Sequence, residues 1–250
     1  MEECIKCGGT GYVVVERNGL SGAEYCECHY ARIAEQRIPR AGIPSHYESA
    51  TFDTFKIAGR THNPVLARAM QKVFLDVRGY VRNYLPTAKK PGLLIWGPHG
   101  CGKTHLAVAA LRELLSKGYE GAYFDYQTLL DRIAASWNQT AGTADKEAYE
   151  TALDVPILLL DDLGARRAID WVEDTVTAII TNRCNNNRTL IATTNLPLEP
   201  VAMGATEGGS IRNSRTLPEV IGMRAASRLY EMCRIIDMSG IPDYRPGITA

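Results

Sequence analysis

The sequence predicts an α/β fold, an open parallel sheet with helices on both faces, preceded by a small cysteine-bearing unit. Three observations predict it. Short apolar runs, "LLIW" (93–96), "AYFD" (122–125), "ILLLD" (157–161), "TLIATT" (189–194) and "RIID" (234–237), alternate with helical stretches, as buried parallel strands do when crossover helices join them. The first run leads directly into "GPHGCGKT", a glycine-rich turn that opens a helix. Four of the seven cysteines fall within the first 28 residues, which marks that segment as a separate unit.

Composition narrows the function classes. A chain of 250 residues has room for one large α/β domain and a small appendage. Lys plus Arg and Asp plus Glu are equal at 28 each, so phosphate neutralisation gives the whole molecule no strong general affinity for nucleic acid. A local basic groove, or one formed on oligomerisation, stays open. No uninterrupted apolar stretch reaches about 18 residues, so no membrane span is expected. The N-terminus is acidic and cysteine-rich, without the basic and then apolar regions of a signal peptide. A cytoplasmic protein is the expectation.

Taken in order, residues 1–35 form the cysteine unit, 36–60 a linker marked by Pro39, Gly42 and Pro44, and 61–250 the core. Within the first unit, Cys4 and Cys7 precede a hairpin-like segment, "GYVVVERNGLSGAEY", and Cys26 and Cys28 follow it. The core opens with a helix over 63–85. Val65, Leu66, Ala69, Met70, Val73, Phe74, Val77, Tyr80, Val81, Tyr84 and Leu85 recur at helical spacing, with Asn63 and Pro64 suited to the N-cap and first position.

Chemistry concentrates at the strand ends. Gly97, Pro98, His99, Gly100, Cys101, Gly102, Lys103 and Thr104 fit G-x-x-x-x-G-K-[ST] between a strand and a helix. In such a loop the backbone N–H groups turn inward to phosphate oxygens, the lysine reaches the β- and γ-phosphates, and the hydroxyl ligates Mg2+. Asp161 and Asp162 end another apolar strand and arrive at the same sheet edge. Asp161 suits a water-mediated hold on Mg2+, and Asp162 suits activation of the attacking water, a role more often given to Glu. Asn195 ends a third strand, where a neutral amide can hold that water against the γ-phosphate. Phosphoryl transfer also calls for positive charge on the transition state, and Arg224, Arg228 and Arg245 are the candidates.

In this order these residues resemble an AAA+ ATPase, the P-loop NTPase class, and more narrowly the helicase-loader family typified by DnaC and DnaI. The transposition helper IstB is a near relative. The matching stretches are "IPSHYESATFDTF", "LLIWGPHGCGKTHLAVAA", "ILLLDDLGA", "TNR" at 181–183, "TLIATTNLP", "RAASRLYEM" and "DYR". The resemblance implies ATP hydrolysis with Mg2+, self-assembly in the ATP state, and binding to a hexameric replicative helicase and to single-stranded DNA. It implies that Arg228 is an arginine finger acting on a neighbour's ATP and Arg245 a sensor on its own. The chain ends five residues after Arg245, in keeping with a family that lacks a full helical lid. One departure is the Gly-rich stretch from Leu198 to Pro218, longer than expected, which loosens the placement of the finger.

A cytosolic ATPase is an unfavourable setting for a structural disulfide, and no βαβ pattern surrounds Cys4 to support a redox pair. Folding the hairpin back brings Cys4, Cys7, Cys26 and Cys28 together as a tetrahedral Zn2+ site, with His29 an alternative ligand to Cys28. The "CxxCxGxG" half also resembles the zinc repeats of DnaJ-type chaperones. By analogy with DnaI-like loaders, this knuckle docks on the helicase. Three other readings stay open: an IstB-like helper that engages a transposase, a small-molecule kinase, and an adaptor that binds nucleotide and barely hydrolyses it.

Overall fold

The computed structural model describes residues 4–17, 19–55, 57, 63–136, 143–166, 169–199 and 215–243. The chain begins with an antiparallel hairpin of β1 (Tyr12–Arg17) and β2 (Leu20–Tyr25), in which Tyr12 faces Tyr25 and Val14 faces Ala23. Helix α1 (Glu27–Arg37) follows. Next come α2 (Pro64–Arg82), β3 (Gly92–Trp96), α3 (Lys103–Ser116), β4 (Gly121–Asp125), α4 (Tyr126–Ser136), α5 (Thr143–Asp154) and β5 (Ile157–Asp161). The chain then runs through α6 (Asp170–Asn185), β6 (Thr189–Thr194), α7 (Leu217–Ile221), α8 (Met223–Met232) and β7 (Cys233–Asp237). The five core strands lie parallel in the order β4-β5-β6-β3-β7, each on the run that the sequence marks.

Both faces of the sheet are covered, and the strand period of two divides the core accordingly. Leu93, Ile95, Leu159 and Ile191 pack with α2 and α3. Leu94, Leu158, Leu160, Leu190 and Ala192 pack with α4, α5, α6 and α8. Gly92 stands where β3 is tightest: a Cβ there would lie 2.6 Å from Cys233 Sγ and 2.6 Å from the Leu190 carbonyl oxygen. Any larger residue would prise the central strands apart.

Helix α2 starts as its sequence demands, with the Asn63 side chain accepting from the N–H groups of Val65 at 2.9 Å and Leu66 at 3.4 Å. It stops at Arg82 rather than running on to Leu85, because Pro86 has no N–H to offer the next turn and biases Leu85 out of the helical region. The described part of 36–60 buries Ala41, Ala50, Phe52 and Phe55 in the core beside α2 and α3. Most of Leu198–Pro218 lies outside the described residues. Its end is a capping box, Thr216 with Glu219, that opens α7.

At the opposite edge of the sheet from the phosphate loop, Arg183 of α6 is fully buried. Its guanidinium donates to the carbonyls of Ala152 at 2.8 Å, Val155 at 2.8 Å and Thr189 at 2.6 Å, tying α5, α6 and β6 together. Burial, with Arg188 nearby, lowers its pKa to about 9. The carbonyls offset part of the cost of burying this cation, and the Asp154 charge opposes the drop.

Candidate functional site

Because β5, β6 and β3 are neighbours, their carboxyl ends deliver the aspartates, the asparagine and the glycine-rich loop to one place. Lys103 opens α3 and is 5% exposed. Its ammonium donates to the Pro98 carbonyl at 2.8 Å and to Asn195 Oδ1. The Asn195 amide in turn donates to Asp162 Oδ1 at 3.0 Å. Lysine, asparagine and aspartate from three separate stretches of chain thus form one hydrogen-bonded line across the loop.

A second set surrounds Asp161, which is 5% exposed. Its Oδ1 accepts from Thr104 Oγ1 at 2.9 Å and Thr193 Oγ1 at 2.6 Å, and its Oδ2 accepts from the Tyr123 hydroxyl at 2.9 Å. Burial raises the pKa of Asp161, and the Asp162 charge raises it further, while the three hydroxyl donors hold it down. Asp162 itself has φ 54°, the left-handed region that non-glycine residues seldom occupy. Its N–H donates to Thr193 Oγ1 at 2.9 Å. The turn therefore aims the two adjacent carboxylates in different directions, one into the sheet and one toward Asn195. Strain of this kind is characteristic of working sites.

The structure thus brings Lys103, Thr104, Asp161, Asp162 and Asn195 together, with Gly97, Pro98, Gly100 and Gly102 supplying the loop backbone. His99 is exposed on the loop and Cys101 is buried beneath it. Arg224 and Arg228 lie on the exposed face of α8, and Arg228 donates to Glu231 at 2.7 Å. Arg245 lies outside the described residues. Sequence reasoning missed Tyr123 and Thr193, since nothing but strand register reveals that β4 and β6 flank β5 with those hydroxyls facing Asp161. It also missed His105, whose ring nitrogen lies 2.9 Å from the Thr51 carbonyl and 3.2 Å from Thr54 Oγ1. That contact pins residues 51–54 to the first turn of α3.

At the N-terminus, the sulfur atoms of Cys4, Cys7, Cys26 and Cys28 all lie within 4.8 Å of one another. Cys4 and Cys26 are 3.8 Å apart, and Cys7 and Cys28 are 3.4 Å apart. Tetrahedral Zn2+ with Zn–S bonds near 2.3 Å sets its sulfurs about 3.8 Å apart, so the four thiols fit that ion. The Gly11 N–H points at Cys7 Sγ at 3.3 Å and is the first cause lowering that thiol to about 6, while Cys28, hydrogen-bonded to Cys7, is pushed up to about 12. His29 is occupied elsewhere: its ring stacks on Tyr25 at 4.1 Å, and it is outside the four-thiol group.

Comparison with known proteins adds four findings. The sequence model of the family described as IstB-like ATP binding protein matches residues 82–203, the span holding the loop, both aspartates and Asn195. The phage-like element PBSX protein XkdC of Bacillus subtilis is 26% identical over 239 residues, covering 92% of this chain and 79% of that protein. The replicative helicase loader DnaI of the same organism is 28% identical over 170 residues, covering 64% of this chain and half the length of DnaI. Among solved structures, that of the DnaC helicase loader superposes with a TM-score of 0.61 at 31% identity, covering 78% of this chain and 99% of that one. At 31% identity over nearly the whole of that DnaC chain, this chain belongs to the DnaC/DnaI helicase-loader family of AAA+ ATPases.

Proposed function

We propose that the chain is an ATP-hydrolysing helicase loader acting in DNA replication. The observation that carries this reading is the hydrogen-bonded line Lys103–Asn195–Asp162, set beside the Thr104–Asp161 pair at the mouth of the loop. In the proposed arrangement the N–H groups of Gly97–Thr104 and the Lys103 ammonium bind the β- and γ-phosphates of ATP. Thr104 and Asp161 would hold Mg2+, which supplies charge neutralisation at the phosphates when bound. Asp162 takes a proton from the attacking water, and Asn195 orients that water without adding charge. Lys103 already bonds Asn195, so arrival of the γ-phosphate would exchange one lysine contact for another and free the amide for water. Arg228 would complete a neighbour's site, and Arg245 would read nucleotide on its own side.

Relatives named as replicative helicase loaders support a replicative helicase as partner, and we extend the proposal to a hexameric helicase, to single-stranded DNA and to self-assembly in the ATP state. Residues 1–35, folded around Zn2+ held by Cys4, Cys7, Cys26 and Cys28, would be the docking unit on the core of 61–250. The match to the IstB-like model favours a second reading, a transposition helper whose partner is a transposase. Selective retention of purified helicase over purified transposase by the full chain separates the two. For the nucleotide site itself, Lys103→Ala is expected to abolish ATP binding and turnover. Unchanged phosphate release by that variant would remove the assigned site.

A further inference from the structure

The chain that follows β7 lies flush against the phosphate loop. The Met238 N–H donates to the Trp96 carbonyl at 2.8 Å, the last residue before the loop, and Met238 and Ile241 are buried. A Cβ on Gly97 would meet the Met238 backbone at 2.8 Å. Three residues past Asp237 the chain turns back, with the Ile241 N–H donating to the Met238 carbonyl at 3.0 Å, and this brings Asp243 onto the loop. The Asp243 Oδ1 stands 1.7 Å from the point a Cβ on Gly100 would occupy, and its Cγ stands 2.1 Å from it. Gly100 has φ +70°, so only glycine both takes that turn and admits the carboxylate.

A carboxylate in this position is chemically pointed. A loop of this kind gathers N–H dipoles, a helix N-terminus and the Lys103 ammonium to attract anions. Asp243 sets a fixed negative charge beside that field. Its charge reaches the loop interior: burial chiefly raises the Cys101 thiol pKa, Lys103 opposes it, and the Asp243 charge adds to the rise.

We propose that Asp243 is a resident anion of the phosphate loop, which the phosphates of the nucleotide displace when they bind. The inference rests on the loop being the nucleotide site. With no nucleotide, the carboxylate screens the crowded donors and keeps the loop shaped. When a triphosphate enters, its oxygens take over the donors and repel the carboxylate. Residues 238–243 then detach from Gly97 and Gly100. The exchange makes the packing of the segment after β7 a readout of loop occupancy, and it costs binding energy in every nucleotide complex. Asp243 is a positioning residue here, acting on the loop rather than on the reacting atoms.

The experiment uses the full chain. Binding of fluorescent ATP and ADP analogues is measured for the wild type, Asp243→Asn and Asp243→Ser, together with amide hydrogen exchange with and without ATP. Removing a like charge a few ångströms from the phosphates is expected to tighten both nucleotides by about tenfold, equally in the two neutral variants. In the wild type, ATP is expected to slow exchange across Gly97–Thr104 and to speed it in residues 238–243, a response that Lys103→Ala abolishes. Unchanged or weaker nucleotide affinity in both folded variants overturns the proposal, as does added protection of 238–243 when ATP binds to the wild type. A wild type that binds no ATP at all defeats the underlying site assignment, a distinct result.

Discussion

Asp161 carries its carboxylate in an almost water-free position, where three hydroxyl donors offset the cost of the charge. Loss of any one donor moves its pKa further up. Tyr123→Phe removes the hydroxyl at 2.9 Å with little change in volume, so the acid limb of the pH–rate profile for ATP turnover should shift to higher pH. The sign follows from the direction: a raised carboxylate pKa means that less of the ionised form, proposed to hold Mg2+, survives at a given acidic pH. A kcat profile that superimposes on the wild type would mean that Asp161 ionisation does not limit the reaction. The aspartate is readable in the chain as a strand-ending acid. Its tyrosine partner is not, because the two are 38 residues apart and meet only through pairing of β4 with β5.

Among the elements, α1 stands between the cysteine cluster and the core. Cys26 is its N-cap residue and Cys28 lies in its first turn, yet the helix has no fully buried side chain. It packs along α3, with Ile33 beside Gly118 and Arg37 paired with Glu120 at 3.8 Å. The β1–β2 hairpin leaves Tyr12, Val14, Leu20 and Tyr25 exposed and has too little core to fold unaided. Metal binding would therefore supply its stability. The purified chain is expected to carry about one zinc. A strong chelator should collapse exchange protection in residues 12–37 while the main thermal transition of the core stays within a few degrees. Full protection of the hairpin after metal removal would count against the zinc assignment. The cysteine spacing and the hairpin between the pairs were legible in the sequence. The sequence already favoured four thiols over a histidine, and the geometry agrees, with His29 stacked on Tyr25.

Across the whole molecule, the site at the sheet edge gathers lysine, threonine, aspartates and asparagine, while Arg228 lies exposed on α8 and, among the described residues, bonds Glu231 one turn along. Under the proposed function, an arginine so placed would serve another copy rather than its own. Arg228→Ala is accordingly expected to fold and bind ATP with near-normal affinity and to lose hydrolysis by about a hundredfold or more. Mixed with Asp162→Ala, it should regain part of that activity, since some interfaces would pair an intact finger with an intact acid. Steady-state phosphate release from mixtures at several ratios measures this, and no gain at any ratio would place the arginine outside the reaction.

By itself the sequence determined the order of strands and helices along the chain, the phosphate loop, the acidic and amide strand ends, and the four thiols, because each follows from local periodicity or short spacing. Tertiary structure alone decided which strands adjoin, and hence that Tyr123 and Thr193 support Asp161. It also decided that Lys103 reaches Asn195, that Arg183 caps carbonyls from α5, the turn after it and β6, and that Asp243 lies on Gly100. Apart from Arg183 and Thr189, these pairs are separated by tens of residues or more. Only closure of the sheet and burial of its two faces bring them within bonding distance, and no local pattern in the chain records which distant partner that closure selects.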